Sequence, residues 1–107
     1  MRRRPRLSAA ASRDLDAIWW YVAERSGAER ARALLEQLFY RMSLLGERPK
    51  AGRLRPDLGK GRRSLAFGSY VAIYRLEGAE AVIVRVLHGH RDQRRALDET
   101  ELDPTDD

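Results

Sequence analysis

Cysteine is absent from the chain, so neither a disulfide framework nor a thiolate metal site is open to it. That suits a reducing compartment, and a cytoplasmic location is expected. No apolar run approaches the ~20 residues needed to span a bilayer, so no membrane segment is expected. The basic opening, MRRRPRLSAAASRDL, lacks the apolar stretch of a secretory leader and reads as part of the mature domain. The phosphate-cradling patterns GxxxxGK[ST] and GxGxxG do not occur, and no serine sits in a GxSxG elbow. The two histidines, His88 and His90, have no third ligand close by, so no metal and no other cofactor is expected. Acid is scarce in the body of the chain. Residues 1–97 hold all 21 Lys and Arg against 10 Asp and Glu, a surplus of 21 − 10 = 11 positive charges. The last ten residues, Asp98 to Asp107, hold the other six acids and no base.

With 107 residues there is room for one domain and one core. The expected layout is a single domain over residues 1–97 and an acidic tail over 98–107 without fixed structure. A basic body attracts polyanions: nucleic acid, the ribosome, a DNA-bound enzyme or an acidic partner protein.

The pattern of side chains predicts α+β structure. Arg3 to Leu7 reads as a strand, and Pro5 confines it to a sheet edge. Ser8 is a good N-cap for a helix over about Ala9 to Arg25, whose Ala11, Leu15, Ile18, Trp19 and Val22 share one face. Gly27 separates it from a second helix, with a stripe of Ala31, Leu34, Leu35, Leu38, Met42 and Leu45, stopped by Gly46 and Pro49. So short a turn requires the two helices to pack antiparallel. Arg48 to Gly61 reads as a basic loop. Arg63 to Phe67, Tyr70 to Leu76 and Ala81 to His88 then form an antiparallel meander. The fold class is therefore an N-terminal strand and an antiparallel helical hairpin packed on a small antiparallel sheet. The last strand, AVIVRVLH, is apolar on both faces. The hairpin covers only one of them, so the other calls for a different cover or a groove, a first sign of a missing partner.

Several residues do not fit a simple monomer. Trp20 falls off the inward face of its helix, and Tyr40 and Leu44 fall opposite the core stripe of theirs. Either the N-terminal segment or the loop covers them, or a partner does. Arg63, Arg75 and Arg85 lie one in each strand of the meander. Their stems pack while their heads pair with surface acids, or they make a basic surface, with Arg91, for an anionic target. His88 is either a hydrogen-bonded residue at a strand end or an acid–base group beside arginines.

The wording of the segments adds a resemblance. Leu7-Ser8 through Asp14-Leu15, with Ile18-Trp19 and Tyr21, resembles the opening of toxins of the RelE/ParE family, ParE branch. Pro49, Gly52-Arg53 and Arg55-Pro56-Asp57-Leu58 are similar to their central loop. Arg63-Ser64, Gly68, Tyr70 and Tyr74-Arg75 are similar to their hairpin. Arg85-Val86-Leu87-His88-Gly89 with Arg91-Asp92 resembles their closing signature. The match runs over about residues 7 to 92.

The resemblance implies the toxin half of a type II toxin–antitoxin pair. The partner would be a ParD-like antitoxin, whose acidic C-terminal segment folds on the toxin at Trp20, Tyr40 and Leu44. A heterotetramer or larger complex would result, reaching operator DNA only through the antitoxin. The implied action is growth arrest by binding and poisoning DNA gyrase through Arg63, Arg75, Arg85 and Arg91, with no catalytic residue. The alternative is the RelE activity, ribosome-dependent cleavage of messenger RNA, with His88, Arg85 and Arg63 as the reacting set. The absence of a tyrosine after His88 departs from the RelE pattern, and the acidic end departs from the family's short C-terminus.

Overall fold

A helix start leaves four backbone N–H groups without partners. Ser8 takes up one of them, accepting from Ala11 N–H at 3.0 Å, and its hydroxyl donates to the Val84 carbonyl at 2.8 Å. One buried side chain thus caps a helix and fastens it to the sheet. Around this point the structure, a computed structural model, describes residues 5–89 and 91–101. In chain order the elements are β1 (Arg6–Leu7), α1 (Ala9–Ser26), α2 (Ala28–Glu47), β2 (Arg53–Leu54), a 3₁₀ turn (Pro56–Leu58), β3 (Arg63–Phe67), β4 (Tyr70–Glu77), β5 (Glu80–His88) and α3 (Gln93–Glu101). Gly27, at φ 94°, ends α1 and opens α2 in a conformation that favours glycine.

The five strands form one sheet in the order β1-β5-β4-β3-β2. The meander is antiparallel, but β1 pairs with β5 in parallel, Arg6 opposite Val82 and Leu7 opposite Ile83. The sheet is therefore mixed, where an antiparallel one was expected. A two-residue strand carries no signal of direction; the docking of α1 against β5 sets it. Beyond β1 the edge of β5 is finished by side chains, since the Asp14 carboxylate accepts the Val86 N–H at 2.8 Å just past the Ser8–Val84 bond.

The β4–β5 register slips by one residue between Ile73 and Tyr74, leaving Val84 without a cross-strand partner. Ala81, Ile83 and Val86 consequently face the helical hairpin, in a core with Leu15, Leu35, Leu38 and Met42. Val84 and Leu87 face the other way, with Ile73. That second face is closed by the chain itself. Leu58 of the 3₁₀ turn and Ala96 and Leu97 of α3 pack on it and are buried. The sequence reading left this face to a different cover or a groove and took it as a first sign of a missing partner; the cover is the chain's own 3₁₀ turn and α3. Asp92 starts α3, accepting the Arg95 N–H at 3.1 Å. Asp98 and Glu99, assigned to an unstructured tail, continue that helix; residues 102–107 of the tail lie outside the described residues.

Candidate interaction surfaces

Helix α2 buries one stripe and leaves aromatic side chains on the opposite side. Tyr40 and Phe39 are exposed at 61% and 49%, and Trp20 and Tyr21 of α1 at 62% and 56%. Two grooves of about 760 Å³ each flank α2. One lies between α2 and the β3–β4 turn, lined by Leu34, Tyr40, Phe67 and Tyr70; the other lies beside β1, lined by Pro5, Leu7, Phe39, Tyr40 and Met42. Tyr40 forms a wall of both. Burial pushes the Tyr70 hydroxyl above its ordinary pKa, and the neighbouring Tyr21 adds to the rise. Trp20 packs edge-on against Trp19, ring centres 5.1 Å apart, and lines neither groove. Leu44, grouped with Trp20 and Tyr40 from the sequence, is half-buried and also lines neither. Phe39 and Tyr21 were missed. At about 100° per residue Phe39 falls a quarter-turn round the helix from Leu38, at the border of the core stripe, and the fold leaves it half in water.

The arginines of the meander separate into different roles. Arg85 is 9% exposed, and its guanidinium donates to both Asp14 carboxylate oxygens at 2.7 and 2.8 Å and to the Ala96 carbonyl at 3.0 Å. It ties α1, β5 and α3 together. This corrects its assignment to an exposed anion-binding or reacting set: the charge is already answered by a buried carboxylate. Arg63 is half-buried and donates to the Lys50 and Gly52 carbonyls. Arg75 is paired with Glu77 at 2.8 Å, and Glu77, which also meets Arg6, is held below the usual carboxylate range by Arg75 first and Arg6 second. Arg91 is exposed.

His88 pairs with Tyr70 across the sheet, their ring centres 5.6 Å apart. Arg63 pairs with Tyr74, four residues along β4, which at ~3.3 Å per residue sets it about 13 Å away. His88, Arg63 and Arg85 therefore do not converge. His90 lies outside the described residues. Among the described residues no group of three or more His, Asp or Glu is placed to hold a metal ion, and no helix is long and apolar enough to cross a membrane.

The basic segment before β3 is not a slack loop. The Tyr74 hydroxyl is fully buried, donates to the Pro49 carbonyl at 2.8 Å and accepts the Gly52 N–H at 2.8 Å. Burial pushes its pKa up, opposed by the Gly52 N–H and the nearby Arg63. Further on, Arg55 grips both Asp57 carboxylate oxygens at 3.0 and 2.9 Å and reaches the Ser64 hydroxyl at 3.2 Å. That grip holds Asp57 below the usual carboxylate range.

A helical hairpin on one face of a five-stranded mixed sheet, with a meander at its C-terminal half, is the architecture of the small α+β toxins that the sequence resembled. The family model described as "ParE toxin of type II toxin-antitoxin system, parDE" matches residues 6–93. Toxin ParE1 of Caulobacter vibrioides is 38% identical over 92 residues, covering 86% of this chain and 95% of the relative. Toxin ParE1 of Mycobacterium tuberculosis is 34% identical over 92 residues, covering 85% and 94%. Among solved structures, a chain of the "Chromosomal ParDE TA system from P. aeruginosa" superposes with a TM-score of 0.69 at 26% identity, covering 79% of this chain and 96% of that one. The chain belongs to the ParE toxin family of type II toxin–antitoxin systems.

Proposed function

We propose that this toxin acts in the cytoplasm by binding and poisoning DNA gyrase, and that a ParD-like antitoxin neutralises it. The observation that carries the antitoxin half is the pair of grooves along α2. The domain covers both faces of its sheet with its own elements, yet Phe39 and Tyr40 stay exposed on groove walls and Tyr21 stays exposed on α1. Exposed aromatic surface around a cleft is the chemistry of a protein anchor site. The acidic C-terminal segment of the antitoxin would fold there, attracted by the basic body. A heterotetramer or larger assembly would result, and operator DNA would be reached through the antitoxin. Trp20 on α1 and Leu44, one helical turn beyond Tyr40 on α2, would belong to the same docking surface. Family membership favours gyrase as the target, and the dispersal of His88, Arg63 and Arg85 favours action by binding over strand cleavage. Arg63, Arg75 and Arg91 remain as target contacts.

Expression of the toxin alone in a bacterial host tests the target. DNA breaks and an SOS response while translation continues are expected in the first minutes. Immediate translation arrest with transcripts cut at codons would instead make it a ribosome-dependent ribonuclease. The antitoxin site is tested by Tyr40→Ala combined with Phe39→Ala. Co-purification with the antitoxin should fail while the toxin alone keeps its circular dichroism spectrum.

A further inference from the structure

From Arg48 to Leu76 the chain carries eight bases (Arg48, Lys50, Arg53, Arg55, Lys60, Arg62, Arg63, Arg75) and one acid, Asp57. Asp57 is already gripped by Arg55. Within this stretch the sheet face turned away from the helical hairpin holds a shallow cleft of about 420 Å³. Gly52, Ser64, Ala66 and Val71 contribute to its lining, and Arg53 and Arg55 are the charged side chains on it; no acid lines it. Arg53 pairs with Ser64 across β2–β3, so both project to the same face, and Arg53 is exposed. Arg55 borders the cleft with its guanidinium held by both Asp57 carboxylate oxygens and the Ser64 hydroxyl, so its charge is already answered and the exposed Arg53 is the cation that the cleft offers a ligand. At the neighbouring end of α3, Gln93 completes the lining, while Arg94 donates to the Asp57 carbonyl at 2.7 Å and so ties α3 to the 3₁₀ turn.

We infer that this cleft binds the phosphodiester backbone of DNA, so that the toxin touches nucleic acid directly as well as its protein target. Small residues let a sugar–phosphate strand approach, and planar guanidinium forks match phosphate oxygens. An acidic protein surface fits less well. Protein hot spots need aromatic or aliphatic anchors, and the exposed Leu54 alternates to the opposite face of β2. The cleft meets the groove at the β3–β4 turn only at Ala66 and shares no lining residue with the groove beside β1, so a segment docked in the latter leaves the cleft open. The inference deepens the reading of a DNA-bound target but does not depend on gyrase, since the test uses no gyrase.

The test is fluorescence anisotropy of the full-length toxin with labelled single-stranded DNA, duplex DNA and RNA of equal length, across a range of salt. Two charge reversals are compared, Arg53→Glu in the cleft and Arg30→Glu on α2, because each changes net charge by the same amount. DNA binding that falls with salt is expected, weakened on the order of tenfold by Arg53→Glu, with a salt slope lower by about one, and little changed by Arg30→Glu. Equal loss in both variants would mean diffuse charge attraction and would overturn the site. Binding of RNA but not DNA, or displacement of DNA by poly-glutamate at equal charge, would overturn the assignment to DNA. A gyrase effect in cells with no DNA binding here would leave the gyrase reading standing and end this one.

Discussion

Two buried polar contacts decide how the small core is held. The Asp14 carboxylate meets the Arg85 guanidinium through two hydrogen bonds and also takes the Val86 N–H. Removing one partner of such a pair strands a buried charge. Asp14→Ala is therefore expected to destabilise the fold by about 3–5 kcal/mol, read as a lowered urea midpoint. It follows that activity lost on changing Arg85 would report unfolding and not chemistry. Gly52 is the second point. A Cβ there would lie 2.6 Å from both the Ser64 carbonyl oxygen and the Tyr74 ring, so a main-chain atom stands in the way. Gly52→Ala should cost about 1–3 kcal/mol, while Gly61→Ala, with nothing within 4 Å but φ 74°, tests backbone strain alone.

Among the elements, α3 and the 3₁₀ turn contribute what a two-layer reading lacks. Leu97 is 1% exposed against Ile73, Val84 and Leu87. Leu97→Ala is expected to cost about 2–5 kcal/mol by denaturation, through lost burial and the cavity left behind. Faster amide exchange should follow in β5, and a variant as stable as the parent would mean that α3 does not seal this face. Helix α2 behaves in the opposite way on its outer side. Tyr40→Ala should alter stability by no more than about 0.5 kcal/mol, since that ring is already in water, yet weaken antitoxin binding. The three helices were not equally legible. α1 and α2 announce themselves by apolar residues at helical spacing and by Ser8 and Gly27. α3, QRRALDETE, has two apolar residues on a polar background, and the run of acids from Asp98 made its second half look like a tail.

At the scale of the whole molecule, pH acts through the tyrosines and the exposed carboxylates in opposite directions. Tyr70 and Tyr74 have raised pKa values, chiefly from burial. For such a group the folded state favours the neutral phenol. Its contribution to stability is complete below the ordinary tyrosine pKa of about 10 and is lost as pH rises through the raised values. In a variant with Tyr21, Tyr40 and Tyr70 all changed to Phe, Tyr74 is the one phenol left, and phenolate absorbance and loss of near-ultraviolet dichroism should appear together on alkaline titration. A Tyr74 phenolate formed in a folded chain would show that the Pro49–Gly52 contact opens on its own. Asp57 and Glu77 are lowered by arginine partners, so their smaller contribution is present above the carboxylate range and lost as pH falls through their folded values. Both are exposed to solvent, and screening keeps that effect minor.

The residues alone determined the order of most elements, because side-chain spacing is a local property. A 3.6-residue stripe, an N-cap serine, a glycine between helices and paired β-rich runs each follow from neighbours in the chain. The family likeness was legible for a related reason: short local wordings recur in series from Leu7 to Asp92, and the family match over residues 6–93 covers the same stretch. Charge counting located the basic body but not its surfaces. Arg63, Arg75 and Arg85 look alike in a strand pattern, yet one is a buried tie, one is paired with Glu77, and one props the segment before β3. Only the tertiary structure decided that, because a charge is exposed or answered according to what distant segments bring beside it. Asp14 lies 71 residues from Arg85. The same reason explains the parallel pairing of β1, the one-residue slip that turns Val84 and Leu87 to the second face, and the closing of that face by α3.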